Sequence, residues 1–277
     1  VPNHVARKYK SLSKPEGTRD FGEDDDTNLE YSRTNDFYYI PGESYKNPDW
    51  SHGKVPLNGE KVKGFEEAYR EFPAKWTGNG SRKAQPDIND WYETVKINYG
   101  VRPDGTKDFP EIPWEYIERD PADHFDYWEN KDLPSSWSKW RKIASYWLEK
   151  GVDGFRYDMA ELVPVEFWSY LNSYIKKQNP NALLIAEVYD PNLYDGYIGL
   201  GKMDLLYDKV ELYDTLRNIL KGWANCHDIF PILEKNHSFS SNLLHFLENH
   251  DEHRIAAPEF SGKAEIALPA MVLSTCI

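Results

Sequence analysis

The chain has 277 residues, of which 40% are hydrophobic, so it can bury a sizeable core as one large domain or as a domain with an insertion. The formal net charge is -13 and the pI is about 5.1, which argues against nucleic acid as a partner, because binding a phosphate backbone requires clustered Lys and Arg. No run of about 18 apolar residues is present, so we expect no membrane segment in this chain.

The first part of the chain is predicted to be loop-rich. Residues 5–110 contain many Pro, Gly, Asp and Asn and show no helical period, and the irregular character continues to about 134. Two strand-like runs occur within it, at 36–42 and 91–99. A region of this length indicates an inserted subdomain, because structureless connections rarely exceed about 15 residues in compact domains. We expect the insertion to form one wall of a binding site.

From residue 135 onward, helices and strands are predicted to alternate. Apolar residues at three- and four-residue steps predict helices at 136–150, 165–178, 211–223 and 263–273. Apolar runs predict strands at 152–157, 183–188, 204–207 and 243–247. Ser135 or Ser136 can cap the first of these helices, and Gly151 suits its exit. This alternation is typical of an α/β fold with a parallel sheet.

Three carboxylates follow predicted strands. Asp158, Glu187 and Asp251 each lie at or just past the carboxyl end of a strand, where the catalytic groups of such folds gather. An acid in this place is commonly a helix cap or a surface charge when it occurs alone. If all three converge on one pocket, like-charge repulsion favours one ionised carboxylate beside one protonated acid. That pairing is what cleavage of a glycosidic bond needs.

Basic and neutral polar residues accompany these acids. Arg156 precedes Asp158 by two residues, so both side chains point to the same face of the strand. An inward-facing arginine keeps a neighbouring aspartate ionised and aimed. His250 beside Asp251 adds a neutral hydrogen-bonding group, and His4 adds another.

These residues occur in short motifs that resemble those of the alpha-amylase family of glycoside hydrolases. The matching stretches are Gly154-Phe155-Arg156-Tyr157-Asp158, Ala186-Glu187-Val188 and Asn249-His250-Asp251. Val1-Pro2-Asn3-His4 is similar to the tail of the remaining early motif. The motifs fall in the family's order.

The resemblance implies a (β/α)8 TIM barrel with a domain B inserted after the third strand. Residues 1–4 would then be the end of barrel strand 3, 5–110 the inserted domain, and 111–277 barrel repeats 3 to 7, ending before strand 8. Only part of the barrel would be represented, and we expect the 277 residues to belong to a longer protein.

The resemblance also implies roles for individual residues. Asp158 would be the nucleophile, Glu187 the general acid/base, and Asp251 the residue that binds sugar hydroxyls and stabilises the transition state. The residues expected to hold the glucosyl unit are Arg156, His4 and His250. Four neighbours complete the predicted substrate-binding set: Tyr157, Glu161, Tyr189 and Arg254.

A calcium ion is the one cofactor that the resemblance brings into consideration, with Asn3 as its candidate ligand; no organic cofactor is expected. Many family members have Lys-His soon after the nucleophile, and in calcium-dependent amylases that His helps to complete the ion site. This chain has Glu161-Leu162 there instead. The stretch Gln85-Pro86-Asp87-Ile88-Asn89 resembles the oligo-1,6-glucosidase branch and favours short α-glucosides.

The function predicted from these observations is retaining hydrolysis of α-glucosidic bonds in starch, glycogen or malto-oligosaccharides. An α-glucan oligosaccharide or polysaccharide is therefore the expected partner. A transglycosylase or isomerase built on the same residues is the nearest alternative, because acceptor choice depends on pocket shape and water access. A non-catalytic glycan-binding protein is the third, and the presence of all three carboxylates argues against it.

Overall fold

The computed structural model describes residues 2–7, 11–49 and 70–277. Val1 of the early motif and the parts of the predicted insertion at 8–10 and 50–69 lie outside them. The strands are β1 (His4–Ala6), β2 (Tyr39–Ile40), β3 (Ala74–Lys75), β4 (Thr94–Lys96), β5 (Gly154–Tyr157), β6 (Leu183–Ala186), β7 (Leu205–Tyr207) and β8 (Leu243–Leu244). The α-helices are α1 (Pro121–Trp128), α2 (Ser135–Glu149), α3 (Val165–Gln178), α4 (Asp214–Leu220), α5 (Ile229–Lys235) and α6 (Ala264–Cys276).

A four-stranded parallel sheet positions the predicted carboxylates. Its strand order is β5-β6-β7-β8, with Tyr157 opposite Ala186 and Tyr207 opposite Leu244. This register brings Asp158 and Glu187, the next residues of β5 and β6, to the same sheet edge. The predicted α/β class with a parallel sheet is therefore confirmed. Among the described residues the sheet stays open and does not close into a barrel.

Close strand contact fixes the spacing at the start of this sheet. A Cβ on Gly154 would lie 2.0 Å from the carbonyl oxygen of Leu183, a backbone atom that cannot move without parting β5 from β6. Only glycine fits at this point, because it has no side chain. The separation of the two strands that carry Asp158 and Glu187 therefore depends on Gly154.

The two long helices follow the predicted periodicity. On α2, Trp137 and Ala144 are buried, and on α3 Phe167, Leu171 and Ile175 are buried against the same core. Gly151 ends the first helix with a φ of +85°, as its predicted exit role requires. The apolar faces of both helices thus join one core with the sheet.

The prediction that Ser135 or Ser136 caps α2 is wrong. Pro134 is the capping residue, and no side chain bonds the helix N-terminus. The two hydroxyls instead donate to the loop-rich region: Ser135 Oγ to the carbonyl of Thr34, and Ser136 Oγ to that of Asn98. The serines therefore fasten the helix to the predicted insertion.

The loop-rich region is held by antiparallel pairs and buried polar contacts. β1 pairs with β4, and β2 pairs with β3. The buried Arg7 guanidinium donates to the carbonyl of Tyr92 at 2.7 Å and to Glu71 Oε1 at 2.6 Å. These bonds connect three separate segments of the region. The domain boundaries at residues 4 and 110 stay predictions.

Two α-helices occur where none was predicted. Helix α1 lies in the stretch expected to be irregular up to 134, and it buries Phe125 and Trp128 against α3. Helix α5 has seven residues, of which only Ile229 is buried. Both are too short to show a full apolar period. No helix in 2–7, 11–49 or 70–277 is long and apolar enough to cross a membrane.

Candidate active site

A cavity of about 390 Å³ opens at the carboxyl edge of the parallel sheet. Its walls come from the sheet edge on one side and from the loop-rich region on the other. The lining residues are His4, Asp90, Trp91, Tyr92, Glu93, Thr94, Asp158, Met159, Glu187, Tyr189 and Asp251. The structure therefore brings the three predicted carboxylates together. A larger cavity of about 640 Å³ lies beside Asp204 and Asn242, which precede β7 and β8 and mark the opposite edge of the sheet.

Arg156 joins two of these carboxylates. Its Nη1 donates to Asp158 Oδ1 at 2.8 Å, and its Nη2 lies 3.2 Å from Glu187 Oε2. Since one planar guanidinium makes both contacts, these two oxygens are within about 8 Å of each other. Burial alone would lower the pKa of Arg156, but the hydrogen bond to Asp158 and the neighbouring Tyr207 and Glu187 raise it, so Arg156 stays charged.

Glu187 is held by two hydrogen bonds and by the neighbouring Arg156. Its side chain is almost fully buried, Oε2 accepts the backbone N–H of Met159 at 2.8 Å, and Oε1 accepts the Tyr189 hydroxyl. Burial first, and then the adjacent Glu187 carboxylate, raise the pKa of Tyr189 well above its ordinary value. The hydroxyl therefore remains a donor. These contacts fix the orientation of the Glu187 carboxyl before any ligand arrives.

Met159 depends on an unusual backbone conformation to make its contact. It has φ 46° and ψ 44°, in the left-handed region that residues other than glycine rarely adopt. This turn aims the Met159 N–H at Glu187 directly after the strand that ends in Tyr157. The strained residue lies between the two carboxylates, as strained backbone at functional sites commonly does.

His4 faces Asp158 from the loop-rich side. Its Nε2 lies 3.8 Å from Asp158 Oδ2, and Asn3 Nδ2 lies 3.1 Å from its Nδ1. An amide nitrogen can only donate, so Nδ1 accepts and the proton resides on Nε2, which points at Asp158. Burial lowers the pKa of His4 and outweighs the opposite effect of Asp158. His4 is therefore a neutral donor at pH 7.

Asp251 occupies the more open end of the cavity. Its side chain is 54% exposed, and its Oδ2 lies 3.0 Å from His250 Nε2. The backbone N–H of Asp251 donates to Asn249 Oδ1 at 2.8 Å, which shapes the turn after β8. That strand ends at Leu244, three residues earlier than the predicted 247, so Asp251 is carried on a loop.

The other predicted binding residues lie outside the cavity lining. Tyr157 is buried in the core, where its hydroxyl donates to Asn172 Oδ1 at 2.8 Å. Arg254 is 78% exposed and lies 3.1 Å from Glu248. His250 is exposed, and its Nε2 contacts the Asp251 carboxylate. Of the seven predicted substrate-binding residues, the structure places His4 and Tyr189 in the lining and Arg156 directly behind it.

Glu161 connects two loops below the cavity. Its Oε2 accepts the backbone N–H groups of Tyr189 at 2.8 Å and of Asp190 at 3.1 Å. The loop after β5 is thereby fastened to the loop after β6. This carboxylate is engaged by the protein's own backbone, so it positions Tyr189 rather than lining the cavity.

Sequence reasoning missed Trp91, Met159 and Lys96. Trp91 lines the cavity and contacts the His4 ring edge to face, with centroids 5.4 Å apart. A Trp after a polar turn gives no signal that separates a ligand contact from a core residue. Lys96 reaches the site only through the pairing of β1 with β4, which places it opposite His4. Neither that register nor the Met159 turn has a sequence signature.

The residues around Asn3 do not fit a calcium ion. Asn3 Oδ1, the oxygen that would bind the ion, already accepts a hydrogen bond from Lys96 Nζ at 2.9 Å. Burial lowers the pKa of the Lys96 ammonium from 10.5 to about 8, which still leaves it charged at pH 7. Among the residues that the structure describes, no group of three His, Cys, Asp or Glu is placed to hold a metal.

Parts of this chain are similar in sequence to known proteins. No family model matches it. An alpha-1,4-glucan:maltose-1-phosphate maltosyltransferase of Cereibacter sphaeroides is 31% identical over 167 residues, which cover 54% of this chain and 26% of that protein. Alpha-amylase 3 of Dictyoglomus thermophilum is 31% identical over 140 residues, or 46% of this chain and 27% of that protein.

In sequence, the chain is similar to enzymes named for their action on α-glucans, among them an alpha-amylase. It spans about a quarter of the length of the relatives just named. In structure, it is similar to the cyclic alpha-maltosyl-(1→6)-maltose hydrolase from Arthrobacter globiformis, with a TM-score of 0.50 and 18% identity over 81% of this chain and 42% of that one. That likeness shows a shared fold.

Proposed function

We propose that this chain is the catalytic part of an enzyme that cleaves α-glucosidic bonds in α-glucans with retention of configuration. One observation supports the proposal above all others. Asp158 and Glu187 are joined by a single arginine at a cavity that both of them line. Carboxyl groups within about 8 Å of each other can act on the same glycosidic bond, and the resemblance of their motifs to those of the alpha-amylase family supports retention as the outcome.

The proposed reaction has two steps. In the first, Asp158 attacks the anomeric carbon and forms a covalent glycosyl-enzyme, while Glu187 gives its proton to the departing glycosidic oxygen. In the second, Glu187 takes a proton from water, and the resulting nucleophile displaces Asp158 from the sugar. Two inversions at the same carbon return the starting α configuration.

The surrounding residues support this assignment. Arg156 donates a hydrogen bond to Asp158 Oδ1 at 2.8 Å, and His4 Nε2 faces Asp158 Oδ2 at 3.8 Å, so the carboxylate is aimed from both sides. Asp251 keeps a half-exposed carboxylate on the same cavity, so a sugar hydroxyl can reach it. We propose that Asp251 accepts hydrogen bonds from sugar hydroxyls and strengthens them in the transition state.

The wider architecture follows from the same proposal. The four parallel strands would be part of an eight-stranded barrel in the full protein, with the loop-rich region as its inserted domain B. The sequence similarity to alpha-amylase 3 and the shared fold with the Arthrobacter globiformis hydrolase support this. The catalytic edge would then be the carboxyl face of the barrel, where the active sites of such barrels lie.

Transfer to a sugar hydroxyl is the second candidate. It uses the same glycosyl-enzyme, and only the acceptor in the second step changes. The similarity to a maltosyltransferase favours it, whereas the similarity to alpha-amylase 3 favours hydrolysis. Both reactions need Asp158 and Glu187 in the roles proposed above.

The test is incubation of the full-length protein with maltotriose, with products resolved by chromatography over time. Glucose and maltose as main products are expected for hydrolysis, and oligosaccharides longer than the substrate for transfer. Asp158→Asn keeps the size of the side chain but is a poor nucleophile, so it should abolish both product sets. Unchanged turnover in that variant, or no product from the wild type on any α-glucan, would refute the proposal.

A further inference from the structure

We propose that the Lys96 ammonium takes the place of a divalent cation at the junction of the early motif with the loop after β5, and that it positions His4 against Asp158. The inference rests on four connected contacts around Asn3 and on the absence of an ion-paired carboxylate around Lys96 among the described residues. Its stability tests do not depend on the proposed function, whereas its kinetic test does.

Lys96 joins three separate parts of the chain. The residue lies on β4, opposite His4 in the antiparallel register. Its Nζ donates to Asn3 Oδ1 at 2.9 Å and lies 3.5 Å from the carbonyl oxygen of Leu162, in the turn after β5. Amide and carbonyl oxygens of this kind are also ligands of calcium. The ammonium thus contacts two oxygen atoms of the types that calcium takes as ligands.

The charges near Lys96 suit a monovalent cation. Among residues 2–7, 11–49 and 70–277, no carboxylate lies within ion-pair distance of its Nζ. Calcium sites in proteins are built with Asp or Glu, whose negative charge offsets the cost of removing water from a doubly charged ion. Two neutral oxygens match one ammonium better than a calcium ion.

The bond from Lys96 fixes the orientation of the Asn3 amide. Because Oδ1 accepts from Lys96, the amide nitrogen must face the other way, where it donates to the carbonyl of Gly78 at 3.0 Å and meets His4 Nδ1 at 3.1 Å. With Nδ1 as an acceptor, the His4 proton is on Nε2, which faces Asp158. Lys96 is therefore a positioning residue that acts on Asp158 through Asn3 and His4.

The Gly78 carbonyl that completes this network is held rigidly. A Cβ on Gly78 would lie 2.2 Å from Thr94 Oγ1 and 3.1 Å from the Cβ of His4. No side chain fits there, so the backbone of Gly78 packs directly on β4 and β1. The Asn3 amide is thus fixed by two hydrogen bonds: its oxygen accepts from the Lys96 ammonium, and its nitrogen donates to the Gly78 carbonyl.

Two substitutions of Lys96 test the proposal. Lys96→Met keeps the aliphatic chain and removes the charge, leaving the Asn3 oxygen without its donor. Lys96→Asp offers a carboxylate instead. An aspartate oxygen with a calcium ion at about 2.4 Å extends roughly as far from the backbone as a lysine nitrogen. Lys83→Met, an exposed lysine of the same region, is the matched control.

Thermal unfolding of the full-length variants is measured in excess EDTA and in millimolar calcium. Wild type and Lys83→Met should have the same midpoint in both solutions. Lys96→Met should unfold about 5 °C lower in both. Lys96→Asp should have a lower unfolding midpoint than the wild type in EDTA, and calcium should raise that midpoint by several degrees. The proposal would be overturned if EDTA lowered the unfolding midpoint of the wild type and calcium restored it. It would also be overturned if Lys96→Met had an unchanged midpoint, or if calcium did not raise the midpoint of Lys96→Asp.

A kinetic readout separates positioning from general stability. At a temperature well below unfolding, Lys96→Met should lower kcat about tenfold with little change in KM, because the misplaced His4 affects Asp158 in the reaction rather than sugar binding. Unchanged kcat in a variant with a lowered midpoint would reject the positioning role. If the wild type has no glycosidase activity while the unfolding results hold, the proposed function fails and the structural role of Lys96 stands.

Discussion

Replacing Asp158 and Glu187 separately by alanine, and supplying azide, is expected to separate their chemical roles. Each substitution removes one carboxyl group and leaves a space that a small anion can enter. In Asp158→Ala the nucleophile is missing, whereas in Glu187→Ala the acid/base is missing. Azide should therefore restore turnover in the two variants at different steps and with different stereochemistry.

The structure sets the expected cost of each change to folding. Asp158 is partly exposed, and without its carboxyl group Arg156 would still have Glu187 as a charged neighbour at 3.2 Å. Removing the Asp158 carboxyl group should therefore cost about 1 kcal/mol of folding stability, or about 3 °C in the unfolding midpoint. Glu187 is almost fully buried and accepts from the Met159 N–H and the Tyr189 hydroxyl, so its loss should cost about 2–4 kcal/mol. Both variants should remain folded at 20–25 °C, well below the expected melting range.

The effect on catalysis should be much larger than the effect on folding. For maltotriose, either change should lower kcat at least about 10⁴-fold, which corresponds to more than about 5 kcal/mol of transition-state stabilisation. An aryl α-glucoside with a good leaving group needs no protonation, so Glu187→Ala should still form the glycosyl-enzyme from it. Asp158→Ala should be inactive towards both substrates until azide is added.

The configuration of the glucosyl azide is the measurement. In Asp158→Ala, azide attacks from the side of the missing carboxylate and gives the β-azide after one inversion. In Glu187→Ala, azide displaces Asp158 from the glycosyl-enzyme and gives the α-azide after two inversions. Proton NMR coupling at the anomeric carbon distinguishes them. The same anomer from both variants would refute the assignment of roles.

Three further predictions concern the sheet, a buried histidine and the cavity wall. Gly154→Ala should lower the unfolding midpoint by more than about 10 °C, since its Cβ would lie 2.0 Å from the Leu183 carbonyl oxygen. Burial lowers the pKa of His124 from 6.5 to about 4, so folding excludes its proton and stability should fall by about 3 kcal/mol as pH drops through that range. Trp91→Ala should raise KM about tenfold with little change in kcat, because an apolar face of the cavity is lost.

Matched variants serve as controls for these predictions. Gly196→Ala meets no atom within 4 Å and should be neutral, so equal destabilisation of the two glycine variants would contradict the close-contact argument. His124→Gln should remove the loss of folding stability at acid pH, whereas a change at the exposed His227, His227→Gln, should not. If stability still fell at acid pH in His124→Gln, His124 would not be its cause. Trp223→Ala, 71% exposed, should leave KM unchanged, and a similar KM change in both Trp variants would argue against a contact at Trp91.

The alternating helices and strands from residue 135 onward are predictable from the sequence because their apolar periodicity is a local property of each segment. Helix α3 was predicted at its observed bounds, since its apolar positions repeat over nearly four turns and Pro164 stops any earlier start. Helix α1 was missed because eight residues present too few apolar positions to show a period. The serine caps failed because tertiary acceptors at Thr34 and Asn98 outcompete the helix terminus for the hydroxyls.

The site divides in the same way between local and non-local causes. The carboxylates were found because a parallel register brings every strand end to one edge, so position in the sequence is enough. Tyr157 was misplaced because alternate residues of a strand face opposite sides, and its neighbour Arg156 takes the side of the cavity. Lys96 acts from another element, and only the pairing of β1 with β4 brings it to Asn3.

The two walls of the cavity control different parts of the proposed reaction. The proposed bond-breaking groups Asp158 and Glu187 directly follow two strands of the sheet. Five consecutive lining residues, 90–94, belong to the loop-rich region and face them across the cavity. The molecule that accepts the sugar in the second step must enter between these walls, and whether water or a sugar hydroxyl fits depends on the shape of that space. In the proposed reaction, the loop-rich region would therefore determine which acceptor enters, and the strand ends of the sheet would form the glycosyl-enzyme.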